Sequence, residues 1–428
     1  MAWKIGVIGL GVSGSVGFEL SSAIHEYADV RKLYINDRDG KTDKVAEYCR
    51  RNIWGRDADY APVSKIAEDT DITIICLEGR TGVSKGGVPN RITRQHLYNG
   101  NIESIVELAS VFGRSQYKGR IIVVTNPTDL LTYSFIEEMS RHMDVGQCQV
   151  MGFNHIDTFR AEKTICDKMK KDEGQKIEKV VAEIWGEHGP NSMMIPSQIR
   201  AYVADAERRV IDYPELAVRI AGEKEEIDEI PARVMRYFSN TTKETVQAIG
   251  EVLRKMQQGS GRFVMSVPYQ HKERMICVGQ PIEARGDWLQ VAQRDIAYLH
   301  PKKVLVDGYE KTERERWEDI CDIMAKRIEG TKKGGAWGYE PLLIQEEERE
   351  ENRKKIVVAG ENYRRREWKR RIVAAALSIM IGAGIGYAIS PKEDNDSIER
   401  TEQVVRPSIS GCSASYDPRS TSISHRSP

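Results

Sequence analysis

The sequence predicts an α/β protein: a doubly wound parallel sheet, then an α+β domain, then an uncharged helix near the C-terminus. Three observations carry this. Short apolar runs alternate with stretches of helical period through residues 1–150, the pattern of a parallel sheet covered on both faces. The first run opens into a glycine-rich turn, Gly9-x-Gly11-x-x-Gly14. The run 372–389 carries no charge and follows a dense basic cluster.

The elements follow in order. "WKIGVIGLGVSG" is an apolar strand that ends in the glycines, and an amphipathic helix runs from them to Ala28. In this motif Gly9 permits a tight turn and Gly11 lets a pyrophosphate approach the backbone. Gly14 lets the helix pack on the strand, so its N-terminal N–H groups face the phosphate. "KLYIND" is a second strand ending at Asp37. An acid at that strand end accepts hydrogen bonds from both ribose hydroxyls of NAD and repels the extra phosphate of NADP. "DITIICLEG" (71–79) is a third strand, followed by a helix over 92–112. "GRIIVVTNP" (119–127) is a fourth, followed by a helix from Asp129 to about His142, and "CQVMGF" (148–153) is a fifth. Ligands of such sheets bind at the carboxyl ends of the strands, where Asn126 lies. Residues 1–150 are expected to form the dinucleotide-binding domain.

The segment 151–330 reads as a second, α+β domain. "MGFNHIDTFR" opens a helix on which Asp157 and Arg160 share a face. "IEKVVAEIWGE" reads as a strand running into a turn that carries His188, and "RFVMSVPYQ" as another strand. Residues 240–256 and 314–329 are helices by their apolar spacing. On spacing alone, Asp157 and Arg160 would be an exposed ion pair and His188 a turn residue.

These motifs together resemble the lactate/malate dehydrogenases over roughly residues 3–330. "VTNPTDLLTY", Gly-x-x-x-Ile-Asp-x-x-Arg and Gly-Glu-His-Gly occur in the order of that family. The resemblance implies an NAD-dependent, oligomeric oxidoreductase acting on a small 2-hydroxy or 2-oxo acid, malate slightly ahead of lactate. It implies His188 as general acid/base and Asp157 as the group that orients its ring. Arg160 would clamp the substrate carboxylate with a two-pronged bond, and Asn126 would bond the substrate oxygen beside the cofactor. A further Arg is expected on a mobile loop after the third strand, and "TRQHL" places Arg94 there. The loop "GRTGVSKGGVPNRITR" departs from the family pattern, and Lys85 and Arg91 compete as partners for a second carboxylate. Glu78 and Pro190 also depart from it. Thr241 and Thr242 compete for a place against the substrate, with a plain N-cap as the ordinary role. His96, His155 and His271 match no metal-ligand spacing, and no metal is expected. The alternative is an NAD-binding pseudoenzyme, a membrane-tethered sensor or scaffold.

Composition bounds these readings. The 64 basic and 64 acidic residues of the 428-residue chain cancel, which argues against a nucleic-acid-binding role. The seven cysteines form no CxxC pair and read as reduced thiols. Residues 331–371 form a charged linker or stalk. The run 372–389 would be about 27 Å long as a helix, enough for a bilayer core. Arg364, Arg365, Arg366, Lys369, Arg370 and Arg371 precede it, which places the catalytic domain on the cytoplasmic side. The Ser-rich segment 390–428 reads as disordered. A soluble cytoplasmic protein, with the run buried or docked, is the alternative.

Overall fold

Six strands form the parallel part of the sheet: β1 (Trp3–Ile8), β2 (Val30–Asn36), β3 (Ala58–Tyr60), β4 (Ile72–Ile75), β5 (Arg120–Val123) and β6 (Val150–Gly152). They lie in the order β3-β2-β1-β4-β5-β6, every pair parallel. The order reverses between β1 and β4, so a crevice opens outside their carboxyl ends. This computed structural model describes residues 2–11, 15–37, 58–77, 94–173, 177–188, 192–195, 198–203, 210–212, 241–292, 299, 303–306 and 309–332.

Both faces of the sheet are buried, which is why its strands are apolar runs without alternation. Ile72, Ile74 and Ile122 pack on one side with Leu20 and Ile24 of α1 (Val16–Tyr27) and Val252 and Leu253 of α6 (Thr241–Gln258). Ile75, Ile121 and Val123 point to the other side. There they meet Phe112 of α3 (Arg94–Arg114) and Phe135 of α4 (Thr128–Met139). A short helix, α2 (Val63–Asp69), adds Ile66 and Ala67 to that second core. Adjacent residues facing opposite cores is the strand period of two at work.

The sheet continues beyond β6 with antiparallel neighbours. A long hairpin, β12 (Ser260–His271) and β13 (Arg274–Arg285), joins it at Ser266 opposite Gly152. β14 (Trp288–Val291), β8 (Ile184–Gly186) and β9 (Ser192–Met194) complete it. Three strands form a separate small sheet: β7 (Ile177–Val181), β10 (Arg200–Val203) and β11 (Val210–Asp212). β15 (Lys303–Val306) pairs with β16 (Tyr309–Thr312). Two further helices are α5 (His155–Glu173) and α7 (Glu313–Lys332).

One predicted strand is two. "IEKVVAEIWGE" divides at Ala182–Glu183, and its halves join different sheets. Helix α5 takes the N–H groups at the break: Ala182 N donates to Glu162 Oε1 (3.1 Å) and Ile184 N to Thr158 Oγ1 (3.0 Å). The Glu183 carboxylate turns inward to Trp185 Nε1 (2.8 Å) and Arg262 Nη2 (2.9 Å). The third strand ends at Ile75, short of the expected 79, and the fourth ends at Val123. The segment expected as a linker begins inside α7, which runs on to Lys332; the rest of it, the uncharged run 372–389 and the tail lie outside the described residues. Among the described residues no helix is long and apolar enough to cross a membrane.

Where α1 meets the glycine turn, a Cβ on Gly17 would lie 2.1 Å from the Gly9 carbonyl oxygen. The helix approaches the turn too closely for any side chain there. Gly17→Ala should therefore cost about 1–3 kcal/mol of stability, the range for overpacking. Thermal unfolding measures it; an unchanged midpoint would show that the helix can shift freely.

Candidate active site

The glycine turn closes the end of β1 as its sequence suggests. Gly9 and Gly11 have φ of +89° and +65°, the left-handed region that favours glycine. Gly9 N donates to Asn36 O (2.9 Å), so the turn sits against the end of β2, directly before Asp37. Asn36 is buried, and its Nδ2 donates to Ala61 O (2.8 Å), pinning that strand end from the far side. Asp37 is partly buried. A Cβ on Gly9 would meet Cys76 O at 2.7 Å, so the turn nests on the end of β4. Bare backbone at the β1–β4 switch point, with a carboxylate at the end of β2, fits a dinucleotide. Burial pushes the Cys76 thiol up to about 12, which leaves it an inert neighbour. Gly14 lies outside the described residues; Gly17 is the described glycine at the close helix approach.

The chemistry-bearing residues gather elsewhere, where α4, α5 and the end of β8 converge. His188 follows β8 and its side chain is only 9% exposed. Its Nδ1 lies 2.8 Å from Asp157 Oδ2, on the first turn of α5. A carboxylate accepts, so Nδ1 carries the proton and Nε2 is the basic nitrogen. Arg160, one turn further on, is buried. Its Nε donates to Glu244 Oε2 (3.3 Å), and Lys163 Nζ donates to Glu244 Oε1 (3.0 Å). The pair expected to be exposed on spacing alone is thus enclosed, each member with a partner from another element.

Sequence reasoning missed the group that holds His188 in place. Asp129, in the first turn of α4, is 1% exposed. Its Oδ2 accepts from His188 N (2.8 Å) and its Oδ1 from Asn154 Nδ2 (2.9 Å). Asn154 Nδ2 also donates to Gly186 O (3.0 Å). An acid at a helix start reads as a partner of the helix dipole. Nothing in the spacing links residue 129 to residue 188.

Arg94 is the first residue of α3 and reaches the same region. Its Nη1 donates to Glu187 Oε1 (2.8 Å) and its Nη2 to the His188 carbonyl. Asn126 is exposed after β5, and its carbonyl accepts from Asn101 Nδ2 (3.2 Å). Thr242 is partly buried at the start of α6. Lys85, Arg91, Glu78 and Pro190 lie outside the described residues, as does the side chain of Thr241. Among the described cysteines, Cys76, Cys148, Cys166, Cys277 and Cys321 are all free thiols.

No protein-family model matches the chain. A lactate dehydrogenase from Eimeria maxima, solved with NADH and oxamate, superposes with a TM-score of 0.55 at 16% identity. The match covers 78% of this chain and 96% of that one. The malate dehydrogenase of Aeropyrum pernix gives 0.53 at 18% identity, over 76% and 97% of the two chains. The fold is that of the lactate and malate dehydrogenases. In sequence, the L-lactate dehydrogenase of Mycoplasma mycoides subsp. mycoides is 22% identical over 269 residues, 60% of this chain and 76% of that protein. On this dehydrogenase fold the His188–Asp157 pair and the glycine turn both lie at strand ends.

Beside the His188–Asp157 pair, α5 carries a further carboxyl, Glu162. Burial, and then the charge of Glu251, push Glu162 up to about 8, against the hydrogen bond from Ala182 and the charges of Lys255 and Lys179. The folded chain then holds this proton well above the ordinary value of 4.5, while the unfolded chain releases it there. Between those values the folded state binds more protons, so stability falls as pH rises through the window. Glu162→Gln keeps the acceptor oxygen for Ala182 and removes the titration. Its melting temperature should drop less than the wild type's between pH 5 and pH 9, on the order of the window set by the two values. Parallel falls in both proteins would show that Glu162 ionises normally.

Proposed function

We propose that the chain is an NAD-dependent dehydrogenase of small 2-hydroxy acids, with malate slightly ahead of lactate. The observation that carries the reading is the buried His188–Asp157 pair, with Nδ1 2.8 Å from the carboxylate. Oxidation of a 2-hydroxy acid breaks two bonds to hydrogen: the carbon loses a hydride and the oxygen loses a proton. Bound nicotinamide supplies the hydride acceptor. His188 Nε2 takes the hydroxyl proton and returns it in the reverse direction. Asp157 holds the ring in that tautomer and stabilises the imidazolium that results. Asp129 fixes the backbone of His188, so the ring has one position from which to act. Arg160 would bind the substrate carboxylate through its terminal nitrogens while Nε stays on Glu244. Asn126 would bond the substrate oxygen, and Arg94 would polarise it. Gly9, Gly11, Gly14 and Asp37 would hold the dinucleotide, with Asp37 favouring NAD over NADP. Lys85 or Arg91 would meet the second carboxylate of malate.

The family resemblance and the sequence similarity to lactate and malate dehydrogenases support this reading. Turnover of pyruvate and oxaloacetate with NADH and with NADPH tests it in one panel. Oxaloacetate with NADH should be fastest. A preference for pyruvate would move the substrate to lactate, and equal rates with NADPH would remove the role of Asp37. No turnover at all would leave an NAD-binding sensor or scaffold. His188→Asn should abolish turnover while NADH still binds. Asp157→Asn should cost about 2–4 kcal/mol of transition-state stabilisation, the scale for preorganised electrostatic groups. A His188→Asn variant that reduces a 2-oxo acid at the wild-type rate would sink the assignment.

The uncharged run 372–389 belongs to the same proposal as a membrane anchor, with the catalytic domain on the cytoplasmic face. Its basic flank opposes transfer, since Arg at a bilayer centre costs about 2.5–3.5 kcal/mol on insertion scales. The full-length chain should stay with membranes in alkali and leave only in detergent. Release by alkali alone would make the run a docked or buried segment and return the chain to the soluble alternative.

A further inference from the structure

Three ionic side chains meet beside His188, with Arg94 and Arg327 both on the Glu187 carboxylate. Arg94 Nη1 lies 2.8 Å from Glu187 Oε1, and its Nη2 donates to the His188 carbonyl. Arg327, on α7, contacts the same Glu187 oxygen from the opposite element. The Glu187 side chain is 2% exposed and that of Arg327 8%, while Arg94 is 19% exposed. A carboxylate buried this deeply is costly to leave without a cation. Here two guanidiniums reach it. The more enclosed one belongs to a helix outside the site, and the more exposed one begins the helix that follows the substrate loop.

We infer that Arg327 is a positioning residue: it keeps Glu187 neutralised so that Arg94 can leave Glu187 and the His188 carbonyl to meet substrate. This rests on the role of Arg94 in the proposed dehydrogenase. With Arg327 present, departure of Arg94 breaks one ion pair but leaves the buried carboxylate compensated. With Arg327 neutralised, the same departure takes a second guanidinium from the buried carboxylate, and Arg94 is held more tightly. The C-terminal helix thereby sets how easily the site gains its second cation. The effect passes through Glu187, so removing the Glu187 charge together with that of Arg327 should cancel it.

The test reads Arg94 directly, without turnover. The folded full-length chain is treated with phenylglyoxal, and the modification rate at Arg94 is followed by peptide mass spectrometry. In Arg327→Gln the rate should fall about fivefold below wild type, the equivalent of a strengthened, partly exposed ion pair. Glu187→Gln should raise it, and the double variant should match or exceed wild type. Arg327→Lys, which keeps the charge, should stay near wild type. Equal Arg94 rates in wild type, Arg327→Gln and the double variant overturn the proposal. If Arg327→Gln does not fold, as judged by circular dichroism, an unchanged Arg94 rate in Glu187→Gln overturns it instead. In turnover, Arg327→Gln should lower kcat/KM for the 2-oxo acid and the double variant should recover part of it. A wild type with no turnover defeats the dehydrogenase reading, while the modification rates still decide how Arg94 is held.

Discussion

Asp129 ties together three chain segments that are far apart in sequence. Its two oxygens take the His188 N–H and the Asn154 amide, and Asn154 in turn holds the carbonyl of Gly186. The segments are the start of α4, the turn after β6 and the end of β8. A buried carboxylate with only one of these partners would be a liability, because its desolvation would go uncompensated. With both partners it fixes the turn that carries His188 relative to the helix that carries Asp157. The 2.8 Å contact between those two side chains depends on that frame. Neither side chain could set the distance by itself, since each stands on an element with its own packing.

The frame is in turn held by the two cores. Helix α7 closes the face that also buries α3 and α4, where Trp317 packs edge-on against Trp185 (5.9 Å) and Tyr269 (5.4 Å). Trp185 is the middle residue of β8, three positions before His188. The packing of α7 therefore bears on β8 through aromatic contact and on Glu187 through Arg327. Aromatic packing is local and steep with distance, whereas the ion pair is directional and exchangeable. The same helix supplies both kinds of coupling to residues two apart, Trp185 in the strand and Glu187 in its turn.

How much of this was legible in the sequence follows from the range of each interaction. The alternation of elements and the glycine turn depend on neighbours within a few residues, and the sequence carried them. The short β3 and α2, and the order in which the parallel strands lie, depend on contacts across the sheet and were not read from it. Asp157 and Arg160 were legible as a pair because a helix brings positions three apart onto one face. The break at Ala182–Glu183 was not, because it is made by Thr158 and Glu162, twenty or more positions upstream. Gly17 was missed for a related reason. Its lack of a side chain matters only against the Gly9 carbonyl, which the fold brings to it. Asp129, Glu187 and Arg327 each looked like ordinary helix or turn charges, and their roles arise from contacts across 59, 93 or more positions. A buried charge gives no local signal of the partner that compensates it.

The two kinds of bond around His188 suit two different tasks. The backbone of His188 and its ring are held by short, enclosed bonds to Asp129 and Asp157, which lose much if broken. A proton carrier needs that rigidity, because transfer falls off steeply when the acceptor moves from its line. Arg94 is held otherwise, by a partly exposed ion pair whose anion has a second cation. Because Arg327 is on the same carboxylate, departure of Arg94 need not leave a bare buried charge. In the proposed dehydrogenase Arg94 would need that freedom, to meet substrate and then release product. In that proposal, the consecutive residues Glu187 and His188 would let one turn carry a fixed acid/base and hold a movable cation. The proposal requires that the charge of Glu187 not depend on Arg94 alone, and Arg327 of α7 contacts the same oxygen.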